Sequence, residues 1–328
     1  MDNPKNGLSA TMKKLNNYIA TNKIDFISVA GDNYYPDKKK IDEEKKEKIF
    51  NLENLMSGLN CLPKGIKKYV TLGNHEIDDI VKLSIDTEEL RCKSLMVQQE
   101  YATNHANNFM LFDTVNGFTV DNNSTLIIMF DTTLYELFSD KNFNIDETCY
   151  RYLFKDVRAK TILNLIEYQE KKILELVHRY NLVKNLILIA HHPLVYSSNK
   201  KGKDRFEYIE RLLTFIMENI KIENIYHLCA DTHFYQRGII NGRIKQYITG
   251  TGGAEQDVLP YKSTFEENGV TYIIEENILK FGFLVVNVEG GNVSFEFIES
   301  NDLMSGGKRN YYLNKINKYK IKIDLKIF

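Results

Sequence analysis

Two glycine turns in the N-terminal part of the chain carry side chains that can bind metal ions. Gly31-Asp32-Asn33-Tyr34-Tyr35 follows the apolar run 24–29, and Gly73-Asn74-His75-Glu76 follows the apolar run 69–72. Both runs are typical of buried strands, so each turn is predicted to lie where a strand ends. Carboxylate, amide, phenol and imidazole groups are ligands that transition metals accept. The two turns therefore predict a metal site.

Two later turns have the same character. Ala190-His191-His192-Pro193 follows the apolar run 186–189, and Asp231-Thr232-His233 follows the run 225–229. Each turn alone has an ordinary explanation, because Gly, Asn and Asp favour turns and Pro ends a strand ladder. Parallel strands in one sheet place their C-terminal turns along one edge, so we expect all the turns to meet. Such a meeting point predicts two neighbouring metals that clamp a phosphoryl group and supply hydroxide at neutral pH.

Strand-like and helix-like segments alternate through most of the chain. The apolar spacing predicts helices over 8–20, 158–180 and 204–220, and short strands with glycine turns predominate after residue 246. This order predicts an α/β (α+β) sandwich in which two packed mixed β-sheets are flanked by helices. We expect one domain over 1–300 and a basic C-terminal extension over 301–328. The strict alternation within that extension favours an edge strand, and a disordered basic tail is the alternative.

Charge and composition exclude several classes of partner. The chain has 328 residues and a net charge of -1, so it lacks the basic field that nucleic acids or anionic membranes require. No apolar run is long enough to span a membrane, and residues 1–6 do not resemble a signal peptide. A cytoplasmic location is the default expectation, and the sequence does not set the oligomeric state.

Taken together, the turns resemble those of the calcineurin-like metallophosphoesterases, and most closely the purple acid phosphatase (tartrate-resistant) branch. Tyr35, three residues after Asp32, is the feature that indicates this branch. The segments that match or resemble the motifs of the branch are 31–35, 73–76, 129–132, 190–193, 229–233 and 249–253. The resemblance covers roughly residues 8–253 and implies the metallophosphoesterase fold.

The resemblance also implies a ligand for each of two metal ions. Asp32 would bridge them. Tyr35 and His233 would bind the first ion, an Fe(III), while Asn74 and His191 would bind the second, an Fe, Zn or Mn ion. A trivalent ion lowers the pKa of a phenol far below its free value of about 10, so a tyrosinate ligand is physically reasonable.

Two histidines beside these ligands are expected to act on the substrate. His75 would lie near the leaving group as a general acid or an electrostatic clamp. His192 stands where the family varies, and it either faces the substrate or is an exposed loop residue. The chain has no counterpart of the family's first strand, which carries an Asp ligand. We expect either that this chain is truncated, which we favour, or that Asp2 replaces the ligand.

Asp231 is the second departure from the family, which has His at this position. If Asp231 is a ligand, its carboxylate oxygen would favour Mn, Mg or Fe(II) over Zn at the site. The alternative is that Asp231 only caps a turn. The predicted function is a metal-dependent phosphatase that hydrolyses phosphomonoesters with metal-bound hydroxide, acting on a phosphorylated small molecule or protein. The alternatives are a degenerate member that binds a phosphorylated ligand or a protein, and a phosphodiesterase or protein phosphatase of the same fold.

Overall fold

The computed structural model describes residues 7–32, 62–74, 100, 109–111, 115–139, 161–200, 202–252 and 256–300. The helices in these ranges are α1 (Gly7–Thr21), α2 (Thr133–Ser139), α3 (Ile162–Arg179) and α4 (Glu210–Asn219). The strands are β1 (Phe26–Ala30), β2 (Lys67–Thr71), β3 (Phe109–Leu111), β4 (Val115–Val120), β5 (Thr125–Phe130), β6 (Asn185–Ile189), β7 (Val195–Lys200), β8 (Lys203–Tyr208), β9 (Asn224–Cys229), β10 (Tyr235–Ile240), β11 (Ile244–Thr249), β12 (Thr264–Glu267), β13 (Val270–Ile278), β14 (Gly282–Glu289) and β15 (Asn292–Glu299).

An eight-stranded mixed sheet forms the centre of the molecule. Its order is β12-β13-β10-β11-β9-β6-β5-β4, and the run β5-β6-β9-β11 is parallel. A smaller parallel sheet has the order β1-β2-β3. The hairpins β14-β15 and β7-β8 form two further sheets of two strands each. Among the described residues, β1 pairs only with β2. The parallel strands of both sheets carry the polar turns at their C-terminal ends.

Alternate side chains of β5 and β6 face two different cores. Leu126, Ile128 and Leu188 pack with apolar residues of α3 and α4 on one face of the large sheet. Ile127 and Ile187 pack on the other face, against Tyr69 of β2 and against residues of the β14-β15 hairpin. Every residue of β5 and β6 is therefore buried, as expected for parallel strands that are covered on both sides.

The sequence of α3 accounts for both ends of the helix and for its buried face. Thr161 caps the N-terminus by accepting a hydrogen bond from the backbone N–H of Asn164 at 3.2 Å. His178 and Arg179 lie in the last turn, where positive charge is favourable to the helix dipole. The residues that α3 buries include Ile166, Gln169 and Ile173, which follow one another at helical spacing.

The architecture confirms the predicted class, with two differences in detail. The predicted helix over 204–220 is wrong in its first part, because residues 203–208 form β8 and α4 begins only at Glu210. The segment KDRFEY alternates exposed and half-buried side chains with period two, which suits a hairpin strand. The second layer is also divided, since β1-β2-β3 and β14-β15 are separate sheets.

Two expectations remain predictions. The C-terminal extension 301–328 lies outside the described residues, so neither its edge strand nor the domain division is tested. Asp2 lies outside them as well. None of the helices that the structure describes has the length and low charge that a membrane-spanning helix needs.

Candidate metal centre

Turns from two different sheets meet at the candidate site. Asp32 follows β1 and Asn74 follows β2 in the small sheet, whereas His191 follows β6 and Asp231 follows β9 in the large sheet. The expectation that one sheet supplies all of these turns is therefore wrong. The site lies at the seam between the two layers, where the C-terminal ends of their parallel strands come together.

The Nε2 atom of His191 is the point on which the turns converge. It lies 3.2 Å from Asn74 Oδ1, 3.3 Å from Asp32 Oδ1 and 3.7 Å from Asp231 Oδ1. His191 itself has no exposed surface, while the side chain of Asp32 is 10% exposed and that of Asp231 is 28% exposed. The structure thus brings together four of the residues that the sequence predicts as metal ligands.

Two glycines allow the turns to approach this closely. A Cβ atom on Gly31 would lie 2.4 Å from His191 Nδ1, and one on Gly73 would lie 2.4 Å from Asp32 Oδ1. Gly31 also has a φ of 79°, in the left-handed region that favours glycine. Asp32 and Asp231 share that region, with φ values of 53° and 57°. Contact distance therefore requires glycine at both positions, and at Gly31 the backbone conformation favours it as well.

The hydrogen bonds of His191 determine which ring nitrogen can bind a cation. Nδ1 lies 2.7 Å from the carbonyl oxygen of Ala30, which can only accept, so Nδ1 carries the proton of the neutral ring. Burial, followed by the charge of His192, lowers the pKa of His191, which favours that neutral form. Nε2 then presents a lone pair toward three oxygen acceptors. A cation would relieve the repulsion among these four atoms, so the donor set fits a metal ion.

His192 lies beside this set and is held on both sides. Its Nδ1 lies 3.0 Å from Thr132 Oγ1, and its Nε2 forms an ion pair with Glu136 at 2.9 Å. Burial by itself lowers the pKa of His192, but the Glu136 carboxylate and the charges of Asp231 and Asp131 raise it overall. The ring is buried, so the exposed-loop alternative is wrong.

Within the part of the chain that the structure describes, His191, His192 and Asp231 form a group whose ligand atoms all lie within 4.8 Å of one another. His233 is held in the same turn as Asp231 but is outside that group. The backbone N–H of His233 donates to Asp257 Oδ2 at 2.9 Å, and the N–H of Asp257 donates to His233 O at 3.3 Å. The loop that contains Asp257 thus fixes the backbone of this turn.

Several residues around the site were not identified from the sequence. Thr132 belongs to a recognised motif, but only the structure shows that it also accepts a hydrogen bond from the backbone N–H of His192 at 2.8 Å. Glu136 lies one helical turn further along, in α2, and its carboxylate contacts the His192 ring. The sequence signal that could have identified Glu136 is its position five residues after Asp131, because both carboxylates follow the end of β5 closely. Tyr35 and His75 lie outside the described residues.

Comparison with known proteins identifies the family of this chain. The family model for the calcineurin-like phosphoesterase matches residues 5–235. No curated protein matches in sequence. Solved structures with a similar fold include GAP50, the anchor in the inner membrane complex of Plasmodium, with 12% identity, a TM-score of 0.55, and coverage of 90% of this chain and 81% of that chain.

The purple acid phosphatase PPD1 from yellow lupin (Lupinus luteus) seeds is also similar, with 15% identity and a TM-score of 0.56 over 92% of this chain. This chain spans about half, 48%, of the length of that enzyme. PhoD has 12% identity and a TM-score of 0.50, with coverage of 98% of this chain and 76% of that chain. At these identities the solved structures establish the fold alone, whereas the family model covers most of the chain. The chain belongs to the calcineurin-like phosphoesterase family.

Proposed function

We propose that this chain hydrolyses phosphomonoesters at a dinuclear metal centre in the seam between the two sheets. The environment of His191 Nε2 carries the proposal, because carboxylate oxygens of Asp32 and Asp231 and the amide oxygen of Asn74 face its lone pair. Membership of a phosphoesterase family supports hydrolysis of a phosphate ester as the reaction. The proposed substrate is a phosphorylated small molecule or protein.

The proposed ligands divide between two ions. Asp32 would be the ligand shared by both ions, Tyr35 and His233 would hold the first, and Asn74 and His191 would hold the second. Asp231, which faces His191 Nε2, would add a further oxygen ligand at the second ion. We propose an Fe ion paired with Fe, Zn or Mn. When bound, two such ions would neutralise charge on the phosphoryl oxygens and would lower the pKa of bound water toward neutrality.

The protein groups proposed to act on the substrate are His75 and His192. His75 directly follows the ligand Asn74 in sequence, and we propose that it donates a proton to the leaving oxygen. His192 is the second candidate. Both of its ring nitrogens are engaged by Thr132 and Glu136, so it can contact a substrate only after Glu136 releases Nε2.

Metal content and substrate preference test the proposal together. The purified chain is stripped with a chelator and reloaded with Mn²⁺ or Fe, and then assayed on an aryl phosphate and on the corresponding diester. We expect about two metal ions per chain, loss of hydrolysis on stripping, recovery on reloading, and preference for the monoester. Hydrolysis that survives stripping, or a preference for the diester, would contradict the proposal.

Binding without turnover is a second candidate function. Asp231 supports it, because it replaces the usual His and is the most distant of the three oxygens from His191 Nε2, at 3.7 Å. GAP50, one of the proteins with a similar fold, is described as an anchor. The same assay separates the candidates, since a binding protein would take up metal yet hydrolyse neither ester.

A further inference from the structure

Two buried glutamines, Gln169 and Gln246, each hold a chain segment that leaves the large sheet at the site. We infer that both are positioning residues, which set the geometry of the metal centre by clamping backbone rather than by touching metal or substrate. The inference rests on the proposed function, because it assumes that His191 and its neighbours bind metal. Neither glutamine has exposed surface.

Gln169 clamps the residue that follows β5. Its Oε1 accepts a hydrogen bond from Asp131 N at 3.0 Å, and its Nε2 donates to Asp131 O at 2.9 Å. The side-chain amide therefore pairs with both backbone groups of one residue, as a neighbouring strand would. The next residue, Thr132, contacts both the backbone N–H and the ring of His192. Gln169 is thus two contacts away from the site.

Gln246 clamps the segment that follows β6. Its Oε1 accepts hydrogen bonds from Leu194 N at 2.8 Å and Val195 N at 3.3 Å, and its Nε2 donates to Val195 O. Leu194 lies three residues after His191, on the far side of Pro193. Gln246 itself belongs to β11, so the clamp ties the segment that carries His191 to the interior of the large sheet.

Strand ends explain why such clamps are needed. The ladder between β5 and β6 stops at Met129 and Ile189, and beyond it the backbone groups need other partners. Two such groups near His191 have one: Ala190 N donates to Leu228 O, and the carbonyl oxygen of His191 accepts from Ala230 N. With Gln169 and Gln246 included, both exits are fixed by direct, buried hydrogen bonds. A metal site needs ligands held within about 0.5 Å of the productive geometry, and these hydrogen bonds supply that constraint.

The test measures the Mn²⁺ affinity of the metal-stripped 328-residue chain by titration calorimetry. Gln169→Met and Gln246→Met keep the side-chain shape and remove the clamp. Asn185→Leu is the matched control, because Asn185 is also buried and bonds Thr125 and Gly291, but at the opposite end of β6. Each Met variant is expected to weaken Mn²⁺ binding by about 10-fold to 100-fold. The control is expected to lower the melting temperature and to change the affinity by less than about twofold.

Equal losses of affinity in all three variants, or no loss in the Met variants, would overturn the inference. Failure of the unaltered chain to bind any of Mn²⁺, Zn²⁺ and Fe would overturn the proposed function and the inference with it. Normal Mn²⁺ binding by the Met variants would overturn the inference alone.

Hydrogen exchange on the unaltered chain covers the case in which a Met variant does not fold. Because coupling between two sites is reciprocal, Mn²⁺ must slow exchange of the clamped amides of Asp131, Leu194 and Val195. The amide of Thr271, which donates to Asn241 at 2.7 Å in a distant turn, is the control. Equal exchange rates at the three clamped amides with and without Mn²⁺ would refute the inference.

Discussion

The Nε2 atom of His191 is the single atom whose surroundings best describe the chemistry of this protein. The other ring nitrogen, Nδ1, donates a hydrogen bond to the carbonyl oxygen of Ala30, and burial favours the neutral ring. Of the two carboxylates that face Nε2, that of Asp32 is less exposed than that of Asp231. In the proposed centre, Asp32 is also the only residue that would bind both ions, so its substitution should reduce metal binding and turnover most.

Replacing Asp32 by Asn tests this at the residue level. The substitution preserves shape but removes the negative charge that both ions would share. We expect loss of at least one metal ion per chain and a fall in turnover of at least about 100-fold, measured by elemental analysis and the aryl phosphate assay. Asp25→Asn is the control, because Asp25 lies just before β1 and its side chain is 83% exposed. Unchanged metal content and turnover in Asp32→Asn would contradict the assignment.

At the level of elements, the sequence was sufficient to predict the strand exits and insufficient to predict how they combine. The apolar runs before Asp32, Asn74, His191 and Asp231 each form a strand. The runs before Asn74, His191 and Asp231 are mostly buried, as expected for strands covered on both faces, whereas β1 is only half-buried along its length. Their division between two sheets could not be predicted, because pairing depends on contacts far apart in sequence. The ion pair between His192 and Glu136 could not be predicted for the same reason.

The glycine turns give an element-level prediction. Gly73→Ala would place a Cβ atom 2.4 Å from both the backbone nitrogen and Oδ1 of Asp32. The β2 turn must then move away from the β1 turn, so we expect Mn²⁺ affinity to fall by about tenfold or more. Gly252→Ala is the control, because a Cβ atom there meets nothing within 4 Å. If both variants bind Mn²⁺ as tightly as the unaltered chain, close contact of the turns is not required.

At the level of the whole molecule, His227 is a buried titratable group that opposes folding in acid. His227 on β9 has no exposed surface, and its Nδ1 lies 3.3 Å from Gln246 Oε1. Burial lowers the pKa of His227 from 6.5 to about 4. Between these values the unfolded chain binds a proton at this site and the folded chain does not. Folding stability must therefore decrease as the pH falls through that window.

His227→Leu should remove this part of the pH dependence. For the unaltered chain, the His227 contribution to the free energy of unfolding should fall by up to about 1.4 kcal/mol for each pH unit below 6.5. Urea unfolding at pH 7, 6 and 5 measures the slope, which should be shallower in His227→Leu whatever its stability at pH 7. His178→Leu, at an exposed position on α3, is the control. Equal slopes for the unaltered chain and His227→Leu would show that another group dominates.

The position of the centre at the seam between two sheets links assembly to function. Asp32 and Asn74 belong to turns of the small sheet, while His191 and Asp231 belong to turns of the large one. An ion held by all four would cross-link the layers, and its binding free energy would add to the packing between them, by about 2.7 kcal/mol when the free ion is at 100 times its dissociation constant. The centre and the contact between the layers would then form in one event. A chain whose layers are misaligned would have no complete site, so reactive metal would be held only by correctly folded molecules.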